Sequence, residues 1–259
     1  MATSSINGSK FFLTIVDDCT QFTWVHLMQH KSQTASIIHS FSNMVQTQFR
    51  IKIKSIRSDN GSEFHMKDSF STQGIIHQLS SVETPQQNAI VERKHQHLLN
   101  VARSLRFQLH LHLHFWVDCI LSTAHIINII PTPLLSNKYS YQLLFSKLPS
   151  YSHLKVFGCL AYVLALSRYR TKFDPKATPC IFIGYPHDMK GYKFYNLQTQ
   201  SVIISRNAIF HETIFSYAFH IDHSSSPTPI IENNSFILPN IESFNFVSPT
   251  IPSHLIIPS

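Results

Sequence analysis

Cysteine is sparse in this sequence, and none of it is spaced for chemistry. Cys19, Cys119, Cys159 and Cys180 stand far apart with no Cys-x-x-Cys pair, which excludes a cysteine-built zinc site and a disulfide framework and points to a reducing compartment, cytosol or nucleus. No secretory signal is read at the start of the chain. Long apolar runs are missing too. The most apolar stretch, Ile120 to Ile130, is interrupted by His125 and Asn128 and stopped by Pro131, well short of what a bilayer requires, so no membrane partner is expected. There is no internal repeat. Negative charge is scarce, with 14 Asp and Glu against 21 Lys and Arg. Positive charge then disappears altogether: Arg206 is the last basic side chain, and residues 222–259 carry only Asp222, Glu232 and Glu242. The first 221 residues therefore keep 21 basic and 11 acidic groups, a net charge of +10. Such a body suits a polyanion, nucleic acid first.

What is present is enough apolar material for a real core, 43% of residues, of which a good part is aromatic. Phe11 to Val16 and Phe22 to Leu27 are aromatic and β-branched, and the turn Asp17-Asp18-Cys19-Thr20 between them makes a β-hairpin. After Lys31 the period lengthens. Ile37, Ile38, Phe41, Met44, Val45 and Phe49 recur every three to four residues, which predicts a helix with Ser32 as its N-cap. Lys52 to Ser58 returns to alternation, and Ile75 to Leu79 reads as a further short strand behind Gly74. Helices are expected over 88–106, opened by Pro85, and over 115–129, closed by Pro131 and Pro133. From Leu154 the texture is of short strands: Val156-Phe157, Leu160 to Leu164, Cys180 to Ile183, Lys193 to Tyr195 and Val202 to Ser205, with three of the six glycines at these strands and their turns. Five short strands in so small a span predict a small barrel. Beyond Phe219 the Ser, Pro, Asn and Ile composition predicts a disordered tail.

Two carboxylates carry the candidate chemistry. Asp59 follows a short strand, and Glu92 falls in the first turns of a long helix. Both are hard oxygen donors suited to a divalent ion, although Asp59-Asn60-Gly61 alone equally suits a tight turn. Asn88 and Gln96 lie four residues to either side of Glu92 and extend a polar face, flanked by Arg93, Lys94, Arg103 and Arg106, which could meet phosphates. The alternation from Leu109 to His114 scatters its histidines to different faces of a helix, so a loop is expected there and not a zinc site.

Several stretches resemble one known family. Leu13 to Asp18, Ile56 to Phe64, Gly74 to Gln78, Thr84 to Asn88 and Val91 to Lys94 resemble the integrase core of Copia-type LTR retrotransposons, particularly those of plants. Leu154 to Cys159, Lys172 to Ala177 and Cys180 to Tyr185 resemble the SH3-like segment that follows it in the same polyprotein. The likeness is collinear over about residues 9–217.

The resemblance implies an α/β fold. An RNase H-like mixed sheet lacking its first strand would occupy residues 1–135, a connector 136–150, an SH3-like β-barrel 151–217 and a disordered tail 218–259. It implies DDE-type strand transfer with Mg2+ or Mn2+, joining element DNA to target DNA, with Asp59 and Glu92 as the second and third catalytic, metal-binding carboxylates. Asn88, Arg93, Lys94 and Gln96 would be nucleic-acid-binding, the protein could form a homo-oligomer, and a working copy would act in the nucleus. The first carboxylate of the family belongs to a central strand that would precede Met1. Asp17 and Asp18 match instead the end of the next strand and its turn. The chain is thus expected to be catalytically incomplete, its sheet left with two bare edges; the alternative is a non-catalytic nucleic-acid-binding or interaction module derived from an integrase.

Overall fold

The computed structural model describes residues 3–79, 89–164, 173, 175–186 and 189–217. The expected hairpin forms: strands β1 (Phe11–Val16) and β2 (Thr23–Met28) pair antiparallel, Phe11 opposite Met28 and Val16 opposite Thr23. Their two faces are covered by different elements. On one, Trp24 and His26 meet Phe41 of helix α1 (Thr34–Phe49) edge-on. On the other, Phe12, Val25 and Leu27 join an apolar cluster built around Phe115, Trp116 and Ile120.

The start of α1 is not set by Ser32. A 3-10 turn, Lys31–Gln33, precedes it, and the Gln33 side chain accepts from the backbone N–H groups of Gln29 and His30 at 2.7 and 3.1 Å. A glutamine reaching back over the turn replaces the expected serine cap.

Strand β3 (Ser55–Ser58) leads through helix α2 (Lys67–Gln73) to β4 (Ile76–Leu79), and the two strands pair in parallel as a sheet of their own. Among the described residues no strand lies between β1 and β3, and the hairpin and the parallel pair share no ladder. They share side chains only: Leu13 of β1 and Ile56 of β3 both pack on a small cluster of Ile38, Phe70 and Ile75. Three fully buried residues are a thin core for two short strands and a helix. Hydrogen exchange is therefore expected to show β3, α2 and β4 opening first, with protection factors well below those of the later sheet; equal protection would contradict this.

Helices α3 (Ala89–Gln108) and α4 (Trp116–Ile129) follow, joined by the Leu-His alternation. This is a loop, as the pattern predicts: Leu109 and Leu111 are buried, and His110 takes a left-handed backbone. A short antiparallel pair, β5 (Pro131–Thr132) and β6 (Lys138–Tyr139), and helix α5 (Ser140–Phe145) lead onward.

The last sheet has five antiparallel strands in the order β10-β9-β8-β7-β11. They are β7 (Leu160–Leu164), β8 (Ala177–Gly184), β9 (Tyr192–Asn196), β10 (Ser201–Ser205) and β11 (Ala208–His211). Five strands match the expected number, but one differs in identity. Val156-Phe157 is a turn, not a strand: Gly158 sits at φ +82°, and a Cβ there would collide with the Leu109 side chain. The apolar pair precedes a corner that only glycine fits. The missing strand is supplied by β11, which pairs with β7.

One face of this sheet packs on α4. Ile181, Ile183 and Tyr195 fall in the same buried cluster as Phe115, Val117 and Ile120. At the edge of that seam Lys193 Nζ meets Asp118 at 2.5 Å, both largely buried. The described residues fall within one compact unit. The expected tail lies outside the described residues.

Candidate nucleic-acid and metal site

Asp59 emerges directly from β3 and stays exposed. Its Oδ1 accepts the Gly61 N–H at 3.2 Å, forming a local Asx turn. A Cβ on Gly61 would lie 2.8 Å from Glu63 Oε2 and 3.1 Å from Asp59 Oδ1, so both carboxylates stand on the same side of the turn, and a larger residue there would make the flexible Glu63 side chain swing aside. Glu63 is a neighbour the sequence analysis gave no role. Its own backbone N–H and the Lys31 ammonium, 3.1 Å away, hold its carboxyl below the usual range. Behind Asp59, the Ser58 hydroxyl lies 2.9 Å from both the Asp59 carbonyl and His77 Nε2, tying the end of β3 to β4.

Glu92 is exposed in the first turn of α3. What positions it is His95, one turn later, which no motif singled out. The His95 ring stacks on Phe12, centroids 4.7 Å apart and nearly parallel, and its Nδ1 lies 3.0 Å from Thr14 Oγ1. Leu98 and Ala102, farther along the same helix, are both buried, and Ala102 belongs to the cluster that Phe12, Val25 and Leu27 of the hairpin pack against. Residues three apart share a helix face, so Glu92 stands at the border of that seated face. Burial against the hairpin holds His95 below the ordinary histidine value.

Of the expected nucleic-acid contacts, Arg93 and Gln96 are exposed, whereas Lys94 is half-buried and its ammonium is pulled down by burial. Asn88 lies outside the described residues. Arg106 is occupied: it donates to the Leu111 carbonyl at 3.2 Å and covers the Phe107 ring, closing the end of α3. Arg103 is exposed on the same helix, within reach of Asn100.

Asp17 is committed to the hairpin. Its Oδ2 accepts from the Thr20 N–H at 2.8 Å and the Thr20 hydroxyl at 2.6 Å, which is work for a turn residue. Among the described residues no group of three His, Cys, Asp or Glu side chains could hold a metal ion. Asp59 and Glu92 are donors of the right class for Mg2+ or Mn2+, but two carboxylates do not make a complete site for such ions. No described helix is long and apolar enough to cross a membrane.

Comparison with known proteins decides the lineage. The chain is 34% identical over 216 residues to the retrovirus-related Pol polyprotein from transposon TNT 1-94 of Nicotiana tabacum, covering 82% of the chain and 16% of that protein. It is 32% identical over 218 residues to the corresponding polyprotein from transposon RE1 of Arabidopsis thaliana, covering 84% of the chain and 15% of the relative. Its homologues are the retrovirus-related Pol polyproteins of plant transposons. This Pol-related segment spans about a sixth of the length of those curated relatives. Its residues 159–223 match the retroviral polymerase SH3-like domain family, which accounts for the five-stranded sheet. Among solved structures it is similar to the HTLV-2 integrase catalytic core domain in complex with magnesium, at TM-score 0.39 and 16% identity, over 51% of this chain and 82% of that one. It is also similar to a chain of the simian T-cell lymphotropic virus intasome in complex with the PP2A regulatory subunit B56 gamma, at TM-score 0.42 and 13% identity, over 76% of this chain and 70% of that one.

Proposed function

We propose that this segment is the integrase part of a Copia-type Pol polyprotein, with an RNase H-like core over residues 1–135, a connector over 136–150 and an SH3-like barrel over 151–217. Its reaction is divalent-metal-dependent strand transfer between element DNA and target DNA. Asp59 and Glu92 are two of its three catalytic carboxylates. The observation that carries this reading is the placement of Asp59 at the end of β3 and Glu92 on a helix seated on β1, with no strand between β1 and β3 among the described residues. A third carboxylate, on a further strand of the core, would complete the set. By itself the chain supplies two metal ligands, and its own contribution is to bind DNA and hold these two in place. Arg93, Lys94 and Gln96 on α3, with Asn88 just before it, meet the phosphates, and the protein works as a homo-oligomer in the nucleus.

The net charge of +10 over residues 1–221 supports a second reading, a nucleic-acid-binding module without chemistry. One experiment separates the two. The chain alone is expected to bind duplex DNA with a marked salt dependence that Asp59→Asn leaves unchanged, and to join no oligonucleotides in Mg2+ or Mn2+. The same chain extended upstream by a strand bearing an aspartate is expected to join them, and Asp59→Asn or Glu92→Gln should lower that rate by about a thousandfold or more. Joining that survives both substitutions would overturn the assignment; an extended chain that binds but never joins would establish the binding module.

A further inference from the structure

The seam between α4 and the five-stranded sheet holds a pair of histidines that the proposed chemistry does not use. His125 projects from α4, and His153 lies in the segment leading from α5 to β7. Their Nε2 atoms are 3.3 Å apart. The ring centroids are 5.6 Å apart, close to the nitrogen separation plus a ring radius at each end, so the nitrogens meet nearly head-on. Two ligands of one ion would converge on a common third point instead. Head-on imidazoles fit a single shared proton, one nitrogen donating to the lone pair of the other.

The surroundings offer this pair little else. Tyr185, just past β8, packs on both rings, at 4.7 Å from His125 and 5.7 Å from His153. Its hydroxyl is engaged by the Lys155 N–H at 3.1 Å, and the Lys155 ammonium is paired with Glu212 at 2.9 Å. Cys159 and Tyr192 lie near Tyr185, and burial pushes the Cys159 thiol up to about 12, so it stays neutral. Tyr151, two residues before His153, donates to the Ile129 carbonyl at the end of α4. The charged groups beside the pair thus neutralise one another, and what remains to set the protonation of His125 is burial and the imidazole opposite it.

We infer that His125 and His153 form an acid-sensitive latch, which holds the segment around residues 150–158 against α4 while the pair carries at most one proton and releases it when both rings are protonated. Two imidazolium N–H groups cannot face each other at this distance, so a second proton requires the rings to separate. Burial, then the charge of His153, holds His125 below its ordinary value. The opened state therefore binds more protons than the closed one, and the stability the latch gives is complete above about pH 6.5 and is lost as pH falls below that.

The test is hydrogen exchange of the whole chain between pH 7 and 5.5, corrected for intrinsic rates, together with NMR titration of the histidine rings. Peptides covering 150–158 are expected to lose protection about threefold or more on acidification, and His153→Gln, which still hydrogen-bonds but does not titrate, should abolish that loss. In the unmutated chain His125 should titrate below its ordinary value, moving back toward it in His153→Gln. Equal loss of protection in the variant, or a His125 ring that titrates at its ordinary value in the unmutated chain, would overturn the latch. The ring titration requires no substitution, so the outcome does not depend on a variant folding.

Discussion

Replacing Lys193 by methionine is expected to destabilise the chain by about 3–5 kcal/mol. The reason is the partner left behind. Asp118 is 4% exposed and Lys193 15%, so the ammonium is the main compensation for a carboxylate held almost wholly out of water. Burial already raises the Asp118 carboxyl above its ordinary value in spite of Lys193. With the cation gone, the charged form becomes costlier still, and the folded state binds the proton more strongly than the unfolded chain does. The deficit should therefore be smallest in acid and grow as pH rises above the ordinary carboxylate range. A double substitution, Asp118→Leu with Lys193→Met, should recover most of the loss, because an apolar pair of similar volume carries no desolvation cost. Urea denaturation of the four proteins across pH checks this. A single-variant deficit below about 1 kcal/mol would mean that water reaches the pair and screens it.

Phe115→Ala should cost a similar amount, about 3–5 kcal/mol, by a different route. Phe115 is fully buried at the start of α4 and meets Tyr195 and Tyr217 edge-on at 4.9 and 5.5 Å. Its ring is thus the place where the helices and the five-stranded sheet fill one space. Removing it leaves a cavity bounded by both, so both halves should lose stability together. Tryptophan fluorescence, from Trp24 and Trp116, and far-ultraviolet circular dichroism are expected to report a single coincident transition at lower denaturant. Two separated transitions would show that the halves do not share a core. Phe107, also aromatic and nearby in sequence but 63% exposed, serves as the control, and Phe107→Ala should change stability by less than about 0.5 kcal/mol.

Asp118 and His95 lie where local pattern carries no information. Asp118 reads as an ordinary polar position in the first turn of a helix, and nothing in its neighbourhood announces Lys193, which lies 75 residues later. His95 is similar. It reads as one more polar residue beside Glu92, yet it fixes the angle of α3 through Thr14, 81 residues earlier. Val156-Phe157 was legible only as an apolar pair, which suits a strand and a packed corner equally well. What decides for the corner is Gly158, whose backbone lies against Leu109 from the α3–α4 loop.

The sequence by itself determined the order and type of most elements, because period two and period 3.6 are properties of neighbouring residues. It also singled out Asp59 and Glu92 as candidates, because motif spacing survives in the linear chain. Only the tertiary structure decided that the hairpin and the parallel pair β3–β4 form separate sheets, that Asp17 is consumed by its own turn, and that the helices and the five-stranded sheet share one core. Those outcomes depend on side chains distant in sequence competing for the same space and the same hydrogen bonds, which no local pattern records.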